Sequence, residues 1–134
     1  MNIRYKLVID NNLFIKESTI KNIGNGVFTN KSIKNGQIIE ICPIIKINNK
    51  FLFQKDNILN DYIFNDPLND DNKLLVFGYG SIYNHSNDPN VDYYYDNDNN
   101  KMIYKAIKDI NKDSELFISY GRKWWKSRNK RNKD

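Results

Sequence analysis

A chain of 134 residues, 40% hydrophobic and 28% charged, has the size of one globular domain and is too short for a catalytic domain joined to a separate cofactor domain. One cysteine, Cys42, and one histidine, His85, exclude an intrachain disulfide, a four-thiolate zinc site and paired-histidine metal motifs, so no metal is expected. No apolar run approaches the ~18 residues of a membrane span, and residues 1–6 carry no secretory signal, so the expectation is a soluble, intracellular protein that makes no membrane contact. The formal charge of +5 is uneven: residues 122–134 hold seven Lys or Arg against one Asp, a surplus of six, which leaves the rest of the chain near neutral. Residues 127–134 therefore read as a basic, solvated tail able to attract nucleic acid weakly. Acids gather instead at Asp56, Asp61, Asp66, Asp70 and Asp71 and at Asp88, Asp92, Asp96 and Asp98, which suits a basic partner.

In chain order, stretches rich in Ile, Val, Phe and Tyr predict strands at 5–9, 26–29, 37–47, 91–95, 102–107 and 115–120. Asn25-Gly26 and Asn35-Gly36 tolerate positive φ and predict tight reversals, and the polar run 96–101 predicts a hairpin tip. Only 51–64, with weak apolar spacing, and 122–130 read as helical. The fold class is mainly β, with few short helices.

Four segments could carry chemistry. Ile23-Gly24-Asn25-Gly26-Val27-Phe28 offers a glycine pair that lets backbone approach a ligand, although a plain hairpin turn explains it equally well. Gly78-Tyr79-Gly80-Ser81-Ile82-Tyr83-Asn84-His85-Ser86-Asn87-Asp88-Pro89-Asn90 sets the lone histidine among Asn and Ser, with a hydrogen-bonded structural role as the alternative. Glu115-Leu116-Phe117-Ile118-Ser119-Tyr120-Gly121 is an apolar strand closing on Tyr-Gly, and Trp124-Trp125 places two indoles in the basic tail, where rings stack on planar ligands.

Taken together and in this order, the segments resemble a SET domain, the β-rich fold of protein-lysine methyltransferases. The resemblance runs over residues 3–126 and is strongest at Gly24-Asn25-Gly26-Val27-Phe28, Asn84-His85-Ser86-x-x-Pro89-Asn90 and Glu115-Leu116-x-x-x-Tyr120-Gly121. The spacing is that of compact viral and bacterial members that lack a cysteine-rich zinc segment after the domain. The resemblance implies a β-clip-like fold of several small sheets with a C-terminal pseudoknot. It also implies methyl transfer from S-adenosylmethionine, leaving S-adenosylhomocysteine, to a lysine amine in a protein, foremost a basic histone tail. The backbone of Gly24, Asn25 and Gly26 would hold the cofactor's amino-acid end, Asn84 its ammonium and His85 its adenine, with Trp125 stacked on the adenine edge. Tyr120 would be catalytic, and Tyr79, Tyr83 and Ile118 would line the lysine channel. Asn87 stands where the family usually has Cys, and Ser119 where it often has Asp. An inactive SET-like binding module and a nucleic-acid-binding domain stacking bases on Trp124 and Trp125 are the competing readings, and pairing into a homodimer could complete the substrate groove. A histone substrate would imply the nucleus of a host cell, and another substrate the cytoplasm.

Overall fold

The computed structural model describes residues 12–48, 50 and 58–121. The strand expected at 5–9, the helix at 122–130, the tail 127–134 and Trp125 lie outside the described residues.

Strands β1 (Leu13–Glu17) and β2 (Asn25–Thr29) form an antiparallel hairpin with Leu13 opposite Thr29 and Glu17 opposite Asn25. The reversal therefore lies across 18–24, where Asn22 (φ 63°) and Gly24 (φ 93°) adopt left-handed backbone. Asn25 and Gly26, expected in the turn, are strand residues: two side chains distant in sequence fill the space beside Gly26, and the chain can pass there only in extended form. The second expected turn is present, with Gly36 at φ 90°.

Strand β3 (Ile38–Asn48) has two partners in succession. Its first half pairs with β8 (Lys101–Ala106) and its second, from Ile44, with β5 (Asn72–Val76). The exchange falls at Pro43, which has no N–H to give a ladder; its carbonyl accepts from the Phe77 N–H at 3.0 Å. A register shift between Ile38 and Glu40 breaks the in/out alternation, so Ile39, Cys42 and Ile44 all face the core. A 3-10 turn at Ile58–Asp61 and strand β4 (Phe64–Asn65) occupy the described end of the expected helix. Phe64 is strand because β4 pairs with β5, setting it opposite Leu74.

Strand β6 (Asn84–His85) is followed by the β7 (Val91–Asp96) and β8 hairpin, whose Asp96-to-Lys101 closure matches the predicted tip. Strand β9 (Glu115–Ile118) then enters between β2 and β6, antiparallel to the first and parallel to the second. The result is a four-stranded sheet ordered β1-β2-β9-β6 and a five-stranded sheet ordered β4-β5-β3-β8-β7. Val27, Leu116 and Ile118 of the first share one core with Val91, Met102, Tyr104 and Ala106 of the second. This mainly β architecture of small sheets, with a late strand inserted among earlier ones, is the fold class expected.

One acid expected at the surface is not there. Asp66 is only 2% exposed, accepts from the Leu68 N–H at 2.8 Å and lies 3.5 Å from Lys46 Nζ, so it braces the fold locally.

Candidate active site

The parallel pairing of β6 with β9 sets Asn84 beside Phe117 and His85 beside Ile118, bringing together segments more than 30 residues apart. A two-residue strand of polar side chains cannot hold itself extended; β9 holds it by pairing, and Asn90 ties its own loop to β9 alongside. Its Nδ2 donates to the Glu115 carbonyl (2.9 Å) and its Oδ1 accepts from the Phe117 N–H (2.8 Å), so its amide acts as one more ladder rung along β9.

Just past β9, the Tyr120 N–H donates to His85 Nδ1 at 3.0 Å. A ring nitrogen that accepts carries no proton, so the neutral imidazole holds its hydrogen on Nε2, 3.0 Å from Asn87 Oδ1. Asn87 thus serves as hydrogen-bond partner to the lone histidine. The His85 and Tyr120 rings lie 5.2 Å apart, and the Tyr120 hydroxyl donates to the Tyr83 carbonyl at 3.0 Å. Burial, with Tyr62, Tyr93 and Asp61 nearby, pushes the Tyr120 phenol up to about 12, so it is neutral across the physiological range. Tyr93 fixes the approach to this residue by donating from its own hydroxyl to the Ser119 carbonyl at 3.0 Å.

Beside this cluster, Asn84 Nδ2 donates to the Asn25 carbonyl (3.0 Å) and to Glu115 Oε2 (3.0 Å). Glu115, 4% exposed, also accepts from the Ser18 hydroxyl (2.9 Å) and from the Thr19 N–H and hydroxyl (both 2.7 Å). A Cβ on Gly26 would overlap Glu115 Oε2 and approach Asn84 Nδ2 to 3.0 Å, whereas one on Gly24 would meet nothing within 4 Å.

Residues 61–64, Ser81, Tyr83 and Tyr120 bound a small cleft. What Tyr83 directs toward Tyr120 is its carbonyl; its ring is buried on Tyr104 (centroids 4.8 Å apart) and its hydroxyl donates to Glu40 Oε1 at 2.7 Å. Glu40 also accepts from the Tyr79 N–H at 2.9 Å, which holds the turn leading to Tyr83. Neither Tyr79 nor Ile118 is on the described wall of the cleft, and Ile118 is fully buried in the core. Tyr120, His85, Asn84, Asn25 and Gly26 therefore converge, with Gly24 at the end of the reversal beside them.

Sequence reasoning quoted Glu115 and Asn90 within its motifs without giving them a role, and assigned none to Ser18, Thr19, Glu40 or Tyr93. For Glu115 a cue existed: a lone carboxylate opening an apolar strand is costly to bury unless it is hydrogen-bonded. Ser18 and Thr19 carried none, because their partner lies more than 90 residues away.

The SET-domain family model matches residues 24–121. A Schizosaccharomyces pombe histone-lysine N-methyltransferase specific for H3 lysine-37 is 33% identical over 120 residues, which cover 88% of this chain and 79% of the relative. Among solved structures, a Plasmodium falciparum protein described as a candidate histone methyltransferase is 40% identical, matches 87% of this chain and 99% of its own, and aligns with a TM-score of 0.68. Chaetomium thermophilum Polycomb repressive complex 2 bound to S-adenosylmethionine aligns at 0.68 over 81% of this chain and 15% of its own, and at 21% identity it shares the fold alone. On the family match and the yeast relative, the chain belongs to the SET-domain family and is a protein-lysine methyltransferase.

Proposed function

We propose that the chain transfers the methyl group of S-adenosylmethionine to a lysine side chain of a basic, histone-like protein, with Tyr120 as the catalytic residue. One observation carries the reading. The phenol that closes the β9 segment donates to the Tyr83 carbonyl on the wall of a cleft, while its own N–H is tied to the lone histidine.

The residues present fit the cofactor. Gly24 presents bare backbone to open space, and Asn84, with both Nδ2 hydrogens engaged, keeps Oδ1 as an acceptor. Asn84 would hold the ammonium, the backbone at 24–26 the amino-acid end and His85 the adenine, with Trp125 stacked at its edge. When bound, the cofactor supplies an electrophilic methyl group on a positively charged sulfur.

The chain's own task is alignment and exclusion of water. Because the Tyr120 hydroxyl hydrogen is donated to the Tyr83 carbonyl, its oxygen would act toward the substrate as an acceptor, from an amine N–H or a polarised methyl C–H. A phenol held at about 12 is not a base at neutral pH, so its role is orientation and electrostatic stabilisation. The attacking lysine must be neutral, and removal from water among Tyr62, Phe64 and Tyr120 lowers its reference pKa of ~10.4. Tyr79, Tyr83 and Ile118 would support this channel from behind or from its outer end.

The named relatives act on histone or are described as candidates to do so, and exposed Asp70, Asp71, Asp88 and Asp92 suit a Lys/Arg-rich substrate. On the same reading the catalytic domain spans 3–126, works in the nucleus, and pairs with a second copy to complete the substrate groove. The test is incubation with labelled S-adenosylmethionine, separated histones and a cell lysate, with Tyr120→Phe as control. Label in a histone band that disappears in the variant is expected. No label in any fraction, or equal label with the variant, overturns the proposal.

A further inference from the structure

We infer that Glu115 is a positioning residue for the cofactor: its carboxylate fixes which end of the Asn84 amide is presented to the ammonium, and it clasps the β1–β2 reversal alongside. The inference rests on the cofactor reading above and deepens it.

The amide of Asn84 has two possible orientations, and its neighbours decide between them. Nδ2 lies 3.0 Å from the Asn25 carbonyl and 3.0 Å from Glu115 Oε2, two groups that only accept. Turning the amide over would point Oδ1 at a carbonyl and a carboxylate, replacing two hydrogen bonds with two repulsions in a site where Asn84 is 8% exposed. Oδ1 is thereby committed as the free acceptor, and an ammonium requires an acceptor. Glu115 is itself held by donors, the Ser18 hydroxyl and the N–H and hydroxyl of Thr19, the pattern expected of an ionised carboxylate. Its negative charge beside Asn84 favours a cation there as well. Glu115 is not on the described wall of the cleft at Tyr120, so its influence falls on cofactor affinity and not on the methyl-transfer step.

The experiment is titration calorimetry on the full chain, comparing S-adenosylmethionine with methylthioadenosine, which has the adenosine and sulfur but no amino-acid end. In Glu115→Gln, the Thr19 donors take the amide oxygen and the side-chain NH2 faces Asn84, so either orientation of the Asn84 amide meets one repulsion and Oδ1 is no longer committed as the free acceptor. S-adenosylmethionine should then bind about 10- to 100-fold more weakly, the loss of one hydrogen bond to a charged group, while methylthioadenosine changes by about twofold or less. Unchanged S-adenosylmethionine affinity overturns the inference, and so does equal weakening of both ligands, which is the mark of a merely structural residue. In an Asn84→Ala background the Glu115→Gln effect should shrink to about twofold, whereas fully additive losses contradict an action through Asn84. Should Glu115→Gln not fold, carbon NMR of the wild type answers the same question: the Asn84 side-chain carbonyl signal should shift with S-adenosylmethionine and stay with methylthioadenosine. A signal unmoved by S-adenosylmethionine overturns the inference. Wild-type protein that binds neither ligand instead overturns the cofactor reading itself.

Discussion

Gly24 and Gly26 lie two residues apart, and replacing each with alanine disturbs a different part of the molecule. At Gly26 the backbone is ordinary strand, so alanine brings no conformational penalty, but its Cβ would overlap Glu115 Oε2 and come within 2.9 Å of Glu115 Cδ and 3.0 Å of Asn84 Nδ2. Neither group can retreat freely, since Ser18 and Thr19 hold one and the Asn25 carbonyl holds the other. Overpacking costs about 1–3 kcal/mol and losing a hydrogen bond to a charged group about 1.5–3, so Gly26→Ala should destabilise by about 2.5–6 kcal/mol. With ~2.1 cal/mol/K of unfolding entropy per residue, the 134-residue chain should melt roughly 9–21 °C lower. At Gly24 alanine meets no atom but must adopt φ +93°, a strain of about 1–2 kcal/mol or roughly 3–7 °C. Melting followed by circular dichroism, with S-adenosylmethionine titration of each variant, reads both effects. Gly26→Ala should lose stability and affinity together; Gly24→Ala should lose affinity with the smaller stability change. A Gly26→Ala protein that melts and binds as the wild type does would refute the idea that Glu115 and Asn84 are locked against this strand.

Other expectations follow from the same geometry. Tyr83→Phe removes a hydroxyl bonded to Glu40 but keeps the carbonyl that faces Tyr120, so it should cost about 1–3 kcal/mol in denaturant unfolding while turnover of the folded fraction stays within a few-fold. Tyr93→Phe frees the Ser119 carbonyl and should lower kcat more than it raises KM, because it loosens the approach to Tyr120 without touching Asn84. Burial, with Asp92 beside it, raises Tyr93 to about 12, and Tyr120 is raised to the same value from 10.0. Both phenols bind a proton in the folded chain that the unfolded chain has released, so their contribution to stability is complete below pH 10 and is lost as pH rises toward 12. Phenolate absorbance against pH should therefore show these tyrosines ionising together with alkaline unfolding, not ahead of it. If the acids guide a basic substrate, raising salt should raise KM for a histone tail and leave kcat unchanged.

Strands β3, β7, β8 and β9 were legible because runs such as Ile38-Ile39-Glu40-Ile41 and Val91-Asp92-Tyr93-Tyr94 carry β-branched and aromatic residues that suit a half-buried pleat. The closure at Asp96 and Lys101 was legible because its turn chemistry is local. Strands β1, β4, β5 and β6 were not, and the reason is the same for each. Asn84-His85 is extended because β9 pairs with it, and Phe64-Asn65 because β5 lies alongside. Asn25-Gly26 misled for a related reason, since local preference favours a turn while Glu115, distant in sequence, fills the space beside it. The meeting of Tyr120 with His85 was foreseen from the family's threading and not from any periodicity, and the Glu115 clasp left only the cue of a carboxylate opening an apolar strand, because its partners lie 31 to 97 residues away.

The central claim of the proposal is that the Tyr120 hydroxyl serves the methyl-transfer step and not cofactor binding. Tyr120→Phe deletes the hydroxyl bonded to the Tyr83 carbonyl while leaving intact the N–H bonded to His85, so the two roles of this residue separate cleanly. Single-turnover transfer should fall by ~10² or more with S-adenosylmethionine affinity nearly unchanged. Wild-type turnover in the phenylalanine variant would contradict the account.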